Sequence, residues 1–312
     1  MAAQLNLTHV RCCVCESSDA EPVGNGQDFE YNTVPDTFLA MRCNSCGLVY
    51  LNPRPSAADF QTIYPPNYHA FDFSEKDFGL VYKIRSRLEA KRLLTWCKGL
   101  PDDARILDIG CGDGFHMRLL SEYGKKSWTV EGVDIDKRAV EMAEKAGLKV
   151  HLGSIEDGKL PKDSYDLAYM IQTIEHLGNP ANVLSAVREV LKPNAKFVIV
   201  TDNTDSIDFQ VFKSGYWGGY HFPRHWNLFN RSSLKKLAEK TGFEVADLST
   251  IVSPVNWVYS VHNALVDWNA PRFLVDRFTL KSTVSLSAFT SLDIILQKFN
   301  RGGLLRAILR KL

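Results

Sequence analysis

The chain has 312 residues, 45% of them hydrophobic, and its 37 basic and 36 acidic residues leave a formal net charge of +1. That composition can bury a large core and shows no global bias toward polyanions, which argues against a protein built for nonspecific nucleic-acid or membrane binding. No run of about eighteen apolar residues and no cleavable leader is read, so a cytoplasmic enzyme of one main domain plus an appended module is expected.

Residues 1–62 carry the first motif. Cys12-Cys13-Val14-Cys15 holds one Cys-x-x-Cys pair and Cys43-Asn44-Ser45-Cys46 another, with 27 residues between Cys15 and Cys43. Two such knuckles predict a tetrahedral structural Zn2+ held by Cys12, Cys15, Cys43 and Cys46, with Cys13 spare; free or disulfide-bonded cysteines are the other reading. Cys97 and Cys111 read as ordinary thiols in apolar surroundings. Up to residue 60 the basic residues are Arg11, Arg42 and Arg54 against seven acids, so no nucleic-acid partner is expected. The module is expected to pack on the main domain and to help wall its site.

Residues 63–100 read as a linker and a bridging helix: 65–78, with Pro65-Pro66 and mixed aromatics, as a linker or lid, and Leu80 to Trp96 as the helix. The main domain, 101–262, opens on the apolar strand Ile106-Leu107-Asp108-Ile109, which runs into Gly110-Cys111-Gly112-Asp113-Gly114 and then helix-like sequence from Phe115. Glycines at 110, 112 and 114 permit positive φ and close approach of a ligand, while the following helix offers unpaired N–H groups and a positive dipole end. The spacing is Gly-x-Gly-x-Gly, not the Gly-x-Gly-x-x-Gly that seats a dinucleotide pyrophosphate, and Asp108 at the strand end suits a cationic ligand.

A second strand, Trp128 to Val133, ends at Asp134, where a doubly wound fold presents a carboxylate to ribose hydroxyls. Asp136 fits the N-cap of the helix Lys137 to Ala146. A third strand, Leu148 to Leu152, precedes Gly153-Ser154-Ile155-Glu156. A fourth, Tyr165 to Ile171, runs into Gln172-Thr173-Ile174-Glu175-His176, and a fifth, Lys196 to Thr201, follows the turn Lys192-Pro193-Asn194-Ala195. Asn194 there remains able to adopt the left-handed conformation. Strands alternating with helices predict an α/β fold, a doubly wound and mostly parallel sheet, with ligands at the carboxyl ends of the strands.

With Asp108 and its three glycines, the chain resembles the class I S-adenosylmethionine-dependent methyltransferases, whose first motif is Asp-x-Gly-x-Gly-x-Gly. The resemblance spans about a hundred residues in register, through a lysine-proline turn similar to the family's Leu-Lys-Pro-Gly. It implies a Rossmann-like domain binding S-adenosyl-L-methionine through Asp108, Gly110, Gly112, Gly114, Asp134, Ile135, Ser154, Ile155 and Gln172. Ser154 and Ile155 would flank the adenine, although the family more often has an acid where Ser154 stands. Residues 43–56, Cys-Asn-Ser-Cys-Gly-Leu-Val-Tyr-Leu-Asn-Pro-Arg-Pro-Ser, resemble the zinc-binding, zinc-ribbon-like module that precedes methyltransferase domains of sugar-modifying enzymes. Ubiquinone-type O-methyltransferases place Glu-x-x-Glu-His after strand four to bind a divalent metal; here Gln172 takes the first position, which removes one carboxylate and argues against a catalytic magnesium.

Between strand five and the helix Ser232 to Thr241, within 205–230, lies Tyr216-Trp217-Gly218-Gly219-Tyr220-His221-Phe222-Pro223-Arg224-His225-Trp226-Asn227-Leu228-Phe229, a substrate-covering insert. Trp217, Trp226 and Phe229 either stack on a ring or close the core, and Arg224 could hold a phosphate or carboxylate. Methyl transfer is an in-line displacement, so positioning and water exclusion dominate, but a hydroxyl or carbon acid needs a base. His225, His221 and His176 are the candidates, His225 first, although a lone histidine is more often structural.

Residues 263–312 read as a basic tail, eight cations against two acids from Pro271 onward, ending in the amphipathic run Leu304 to Leu312. Such a helix fits either packing on the domain or peripheral contact with anionic lipid at the inner face of a membrane. The expected activity is methyl transfer to a small biosynthetic acceptor, a sugar or glycan or sugar-nucleotide precursor. The rivals are a quinone- or lipid-type O-methyltransferase and a non-catalytic zinc-ribbon protein that only binds the cofactor. Acceptor atom and oligomeric state are not legible.

Overall fold

The computed structural model describes residues 5–65, 68 and 75–312. In the N-terminal module β1 (Leu7–Thr8), β2 (Ala20–Gly26), β3 (Phe38–Cys43), β4 (Val49–Leu51) and β5 (Arg54–Pro55) are followed by α1 (Phe60–Ile63). The bridging helix α2 (Glu75–Trp96) is longer than the expected Leu80 to Trp96 and breaks at Gly79, whose φ is 47°. Most of the expected lid, 65–78, lies outside the described residues.

The main domain alternates as expected: β6 (Arg105–Ile109), α3 (Phe115–Tyr123), β7 (Thr129–Asp134), α4 (Lys137–Lys145), β8 (Lys149–Leu152), β9 (Tyr165–Ile171), α5 (Pro180–Val190) and β10 (Leu191–Asp202). The insert supplies α6 (Ile207–Phe212) and β11 (Asn227–Leu228). The chain then forms α7 (Arg231–Lys240), β12 (Phe243–Ile251), α8 (Val255–Asp267), α9 (Arg272–Val275), α10 (Thr283–Gln297) and β13 (Leu304–Lys311).

The seven-stranded sheet has the order β12-β13-β10-β9-β6-β7-β8. The pairs from β10 through β9 and β6 to β7 and β8 are parallel, and β13 is antiparallel to both neighbours. Central parallel strands are covered on both faces and therefore read as near-continuous apolar runs. Their alternate residues divide between two cores: Leu107, Ala168, Met170, Phe197 and Ile199 face α5 and α7, whereas Ile106, Leu167, Tyr169, Val198 and Val200 face α2 and α3. Three acids are buried on the strands, Asp108 on β6, Glu131 on β7 and Asp202 on β10. Glu131 on β7 pairs with Arg105 and Lys149 at 2.9 Å and accepts from Tyr165 Oη at 2.8 Å, partners that hold its carboxyl down at about 2 although burial opposes them.

The end of the expected helical tail is a strand. Leu304 to Lys311 fills the position between β10 and β12, pairing from Lys196↔Arg310 to Asp202↔Leu304. The run Leu-Leu-Arg-Ala-Ile-Leu-Arg-Lys satisfies a period of 2 as well as one of 3.6, and β10 would otherwise end the sheet with unpaired backbone groups. Leu305, Ala307 and Leu309 are fully buried, and the basic face is engaged, Arg306 with Asp247 at 2.8 Å and Lys311 with Asp163 at 2.6 Å. A lipid-binding terminal helix at 304–312 is thereby ruled out; the helices of this region are α8, α9 and α10.

The boundary at residue 62 is likewise not a clean division. The module's four-stranded sheet has the order β11-β4-β3-β2, so the insert contributes its edge strand through Asn227↔Tyr50 and Leu228↔Val49.

Candidate active site

The glycine turn joins β6 to α3. Gly110, Gly112 and Gly114 all have positive φ, at 71°, 55° and 81°. A Cβ on Gly110 would meet Thr173 Cγ2 at 2.4 Å and one on Gly114 would meet Leu148 Cδ1 at 2.2 Å, whereas at Gly112 no atom lies within 4 Å. Two glycines are thus required by packing, and Gly112 is the one that faces open space where a ligand can approach. Asp134 at the end of β7 ties the turn down: its Oδ2 accepts from Gly112 N and its Oδ1 from Asp136 N, both at 2.8 Å. Burial raises its pKa against these bonds.

Asp108 is buried, which pushes its carboxyl well above 3.8, and its Oδ2 has no hydrogen-bond partner. Gln172 Oε1 is also buried and unpartnered, and Gln172 holds φ at 51°. Unpartnered acceptors and a left-handed non-glycine residue around an open turn fit a polar ligand. Ser154 caps the turn Ile155–Asp157, its Oγ accepting from Glu156 N at 3.2 Å. Ile155 is packed in the core, so its expected cover of an adenine face is not available; Ile135, beside Asp134, is 62% exposed and offers an open apolar face. Asn194 has φ of 62°, as its turn requires.

The insert closes over the ends of β9 and β10. Trp226 N donates to Glu175 O at 2.7 Å, and Asn227 Nδ2 to Leu177 O at 2.7 Å. Trp217, Trp226 and Phe229 are buried, and Trp217 Nε1 donates to Asp208 at 2.7 Å, so Trp217 and Trp226 form the cap's own core and Phe229 joins the main core under the sheet, and none is a stacking face. Arg224 does not await an anion. It is fully buried, paired with Asp28 at 2.7 and 3.0 Å, and its Nε donates to Ile63 O at 2.7 Å, which locks the cap onto the N-terminal module. A fully buried guanidinium must be satisfied internally, and Asp28, absent from sequence reasoning, satisfies it.

The three candidate histidines do come together. The His225 ring lies 4.7 Å from His176 and 4.9 Å from His221. His225 Nδ1 is 2.8 Å from Gly219 O and 3.3 Å from Asp202 Oδ2. A carbonyl only accepts, so Nδ1 carries the proton and the Nε2 lone pair is left for chemistry. Burial pushes the His225 pKa down, but Asp202 and Glu175 outweigh it and hold the pKa above 6.5. His176 Nδ1 contacts Arg224 O at 3.1 Å and Tyr64 Oη at 2.8 Å, and burial keeps its ring neutral. His221 Nδ1 pairs with Glu30 at 2.6 Å, yet burial wins and lowers its pKa to about 4.

Glu175 is fully buried; Thr201 Oγ1 donates to its Oε2 at 2.9 Å while Oε1 has no partner, and desolvation raises its pKa to about 7 despite His225. Ligand atoms of Glu175, His176 and His225 lie within 4.8 Å of one another. With two imidazoles and one carboxylate the set is softer than magnesium prefers. The histidines connect to the glycine turn through Asp202, whose Oδ2 is 3.5 Å from Gln172 Nε2, beside the Thr173 that abuts Gly110. Asp202, whose Oδ1 accepts from Asn256 Nδ2 at 2.7 Å, was missed in the sequence, as were Asn256, Tyr64 and Glu30. Asp202 alone carried a signal, an acid closing an apolar strand.

Cys12, Cys15, Cys43 and Cys46 converge with all sulfurs within 4.8 Å, and the pairs Cys12/Cys46 and Cys15/Cys43 are 3.4 Å apart. That is far beyond a disulfide of about 2.05 Å. It is near the roughly 3.8 Å that tetrahedral geometry sets for Zn–S bonds of about 2.3 Å. Cys13 stands aside, its Sγ donating to Asn227 at 3.2 Å.

Fold and site together define a class I methyltransferase architecture: a parallel sheet whose first crossover is a glycine turn, an acid at the end of the second strand, and a cap over the strand ends. Residues 80–248 match the family described as methyltransferase domain, more than half of the chain, and the protein belongs to that family. A protein of Mycolicibacterium smegmatis named as a probable S-adenosylmethionine-dependent methyltransferase is 29% identical over 165 residues, 52% of this chain and 59% of the relative. The ubiquinone biosynthesis O-methyltransferase of Cereibacter sphaeroides is 29% identical over 169 residues, 50% of this chain and 67% of that enzyme. Geranyl diphosphate C-methyltransferase of Streptomyces coelicolor, solved with S-adenosyl-L-homocysteine, shares the fold with a TM-score of 0.52 at 12% identity, covering 77% of this chain and 87% of that one.

Proposed function

We propose that this protein transfers a methyl group from S-adenosylmethionine to a small biosynthetic acceptor of sugar or sugar-nucleotide type, with His225 as the base. The observation that carries the reading is the contact of His225 Nδ1 with Gly219 O and Asp202, near the carboxyl ends of β9 and β10, because a proton held on Nδ1 leaves Nε2 with its lone pair. Asp108, Gly112 and Asp134 would hold the cofactor, with Ile135 and Gln172 at its edges. When bound, it supplies an electrophilic methyl group on a sulfonium.

His225 Nε2 takes the proton from the acceptor's O–H or acidic C–H, and the resulting imidazolium faces Asp202 and Glu175. His176, neutral and with its Nδ1 proton fixed, orients the acceptor by hydrogen bonding, and the buried cap excludes water. A hydroxyl-rich acceptor suits a wall of histidine, glutamate and tyrosine better than an apolar ring does. Cys12, Cys15, Cys43 and Cys46 would hold a structural zinc that keeps the module folded around its half of the Asp28–Arg224 pair.

A quinone-type O-methyltransferase is the second reading, favoured by the Cereibacter relative's name and by the Glu175–His176–His225 cluster. Incubation with labelled S-adenosylmethionine and cell extract, fractionated into nucleotide sugars and lipids and repeated with a chelator, separates them. Label in nucleotide sugars with chelator-insensitive turnover is expected. Label confined to lipid-extractable quinones and abolished by the chelator sinks the sugar proposal, and cofactor binding without transfer to any fraction sinks catalysis.

A further inference from the structure

The helix α10 has an unusual surface. Ser285, Phe289, Asp293 and Gln297, each four residues apart, form its inner face: Phe289 stacks on Trp257 at 5.5 Å, Asp293 accepts from Ser253 N at 2.7 Å and Gly303 N at 3.1 Å, and Gln297 Nε2 donates to Thr250 O at 2.8 Å. The outer face carries Val284, Ser287, Ala288, Leu292, Ile294 and Ile295, all exposed, with Val284 at 79% and Ile295 at 55%. Asp293 is the helix's one ionisable side chain and it points inward, so a helix of 15 residues presents no charge to solvent. Phe299, just past its end, is 71% exposed, and Trp268, at the end of the neighbouring α8, and Phe273, on α9, are 67% and 65% exposed. A surface helix normally sets a polar or charged face against water.

The surrounding charges have one dominant sign. Between residues 267 and 303 the exposed charged residues are Arg272, Arg277, Lys281, Lys298 and Arg301 against Asp267 and Asp276. We infer that the outer face of α10, with the cations at its two ends, docks on the surface of an anionic lipid bilayer. Apolar side chains of such a helix enter the headgroup and acyl boundary while flanking Lys and Arg meet anionic headgroups. A second copy of this chain fits less well. Two-fold pairing of α10 with itself in antiparallel fashion sets the Lys281 end of one copy against Lys298 and Arg301 of the other, like charge on like. Among the described residues no helix is long and apolar enough to cross a membrane, so contact is at the interface. The surface is distinct from the buried strand at 304–311 and does not depend on which acceptor is methylated.

The test is flotation of the full-length protein with vesicles of phosphatidylcholine alone and of phosphatidylcholine mixed with phosphatidylglycerol, with sedimentation velocity in parallel. Retention on the mixed vesicles alone, weakened by salt, is expected. The pair Val284→Asp and Ile295→Asp should cut partitioning at least tenfold, and Arg272→Ala with Lys298→Ala about fivefold per charge removed. Circular dichroism and S-adenosylmethionine binding confirm that each variant is folded. Absence of vesicle binding, equal binding to both compositions, or binding untouched by the aspartates overturns the inference. A dimer that Ile295→Asp dissociates, without vesicle binding, assigns the face to a second copy and overturns it equally.

Discussion

Asp134 and His225 carry the two halves of the proposed chemistry, and each is poised by its neighbours. Both Asp134 oxygens already accept one backbone N–H, which leaves lone pairs for ribose hydroxyls. Replacing Asp134 by Ala is expected to weaken S-adenosylmethionine affinity by about 1–3 kcal/mol, measured by calorimetry, as loss of a hydrogen bond to a charged group does. Unchanged affinity would remove it from the site. For His225 the sign follows from its raised pKa. The base works when unprotonated, so kcat/KM should rise with pH through a value above 6.5 and then level off. Asp202→Asn removes a carboxylate that favours the imidazolium, so that acid limb should move to lower pH; a limb that stays in place would show that another group titrates.

At the scale of elements, the insert and the N-terminal module act as one cap. They share a four-stranded sheet through β11 and a fully buried ion pair, Asp28 with Arg224, next to His225 in sequence. Arg224→Met leaves the Asp28 carboxylate buried and uncompensated, and should lower unfolding stability by about 3–5 kcal/mol in a denaturant titration. The paired change Asp28→Leu with Arg224→Met should recover much of that loss, because the pair's main cost is a lone buried charge. Asp28 is held below 3.8 by Arg224 against the pull of burial, so its contribution is present above that pH and fades as pH falls through the depressed value. The knuckle cysteines were legible because two Cys-x-x-Cys pairs are a local pattern, and the four sulfurs do converge. Asp28 was not, because an acid in a loop announces its partner only once Arg224, 196 positions away, is packed against it.

For the whole molecule, the decisive element is β13. It stands second from one edge of the sheet in sequence-late position, between β12 and β10, with both ladders antiparallel. Deleting residues 304–312 would leave two unsatisfied strand edges and expose Leu305, Ala307 and Leu309, a loss comparable to the ~5–15 kcal/mol that holds a domain together. Truncated protein should therefore be insoluble or lack a cooperative thermal transition by circular dichroism; a tail packed only on the outside would leave both intact. The amino-acid sequence alone determined the parallel core, the glycine turn with Asp108 and Asp134, and the cysteine knuckles, because each is a local pattern whose physics operates within a few residues. It also singled out the three histidines, but not their division of labour. Tertiary structure decided what depends on distant partners: the tautomer of His225 set by Gly219 and Asp202, the diversion of Arg224 from ligand to strut, and the choice of strand over helix for a tail whose periodicity allowed both. In each case the energy lies in desolvated charges and backbone groups, whose satisfaction depends on what the fold places beside them.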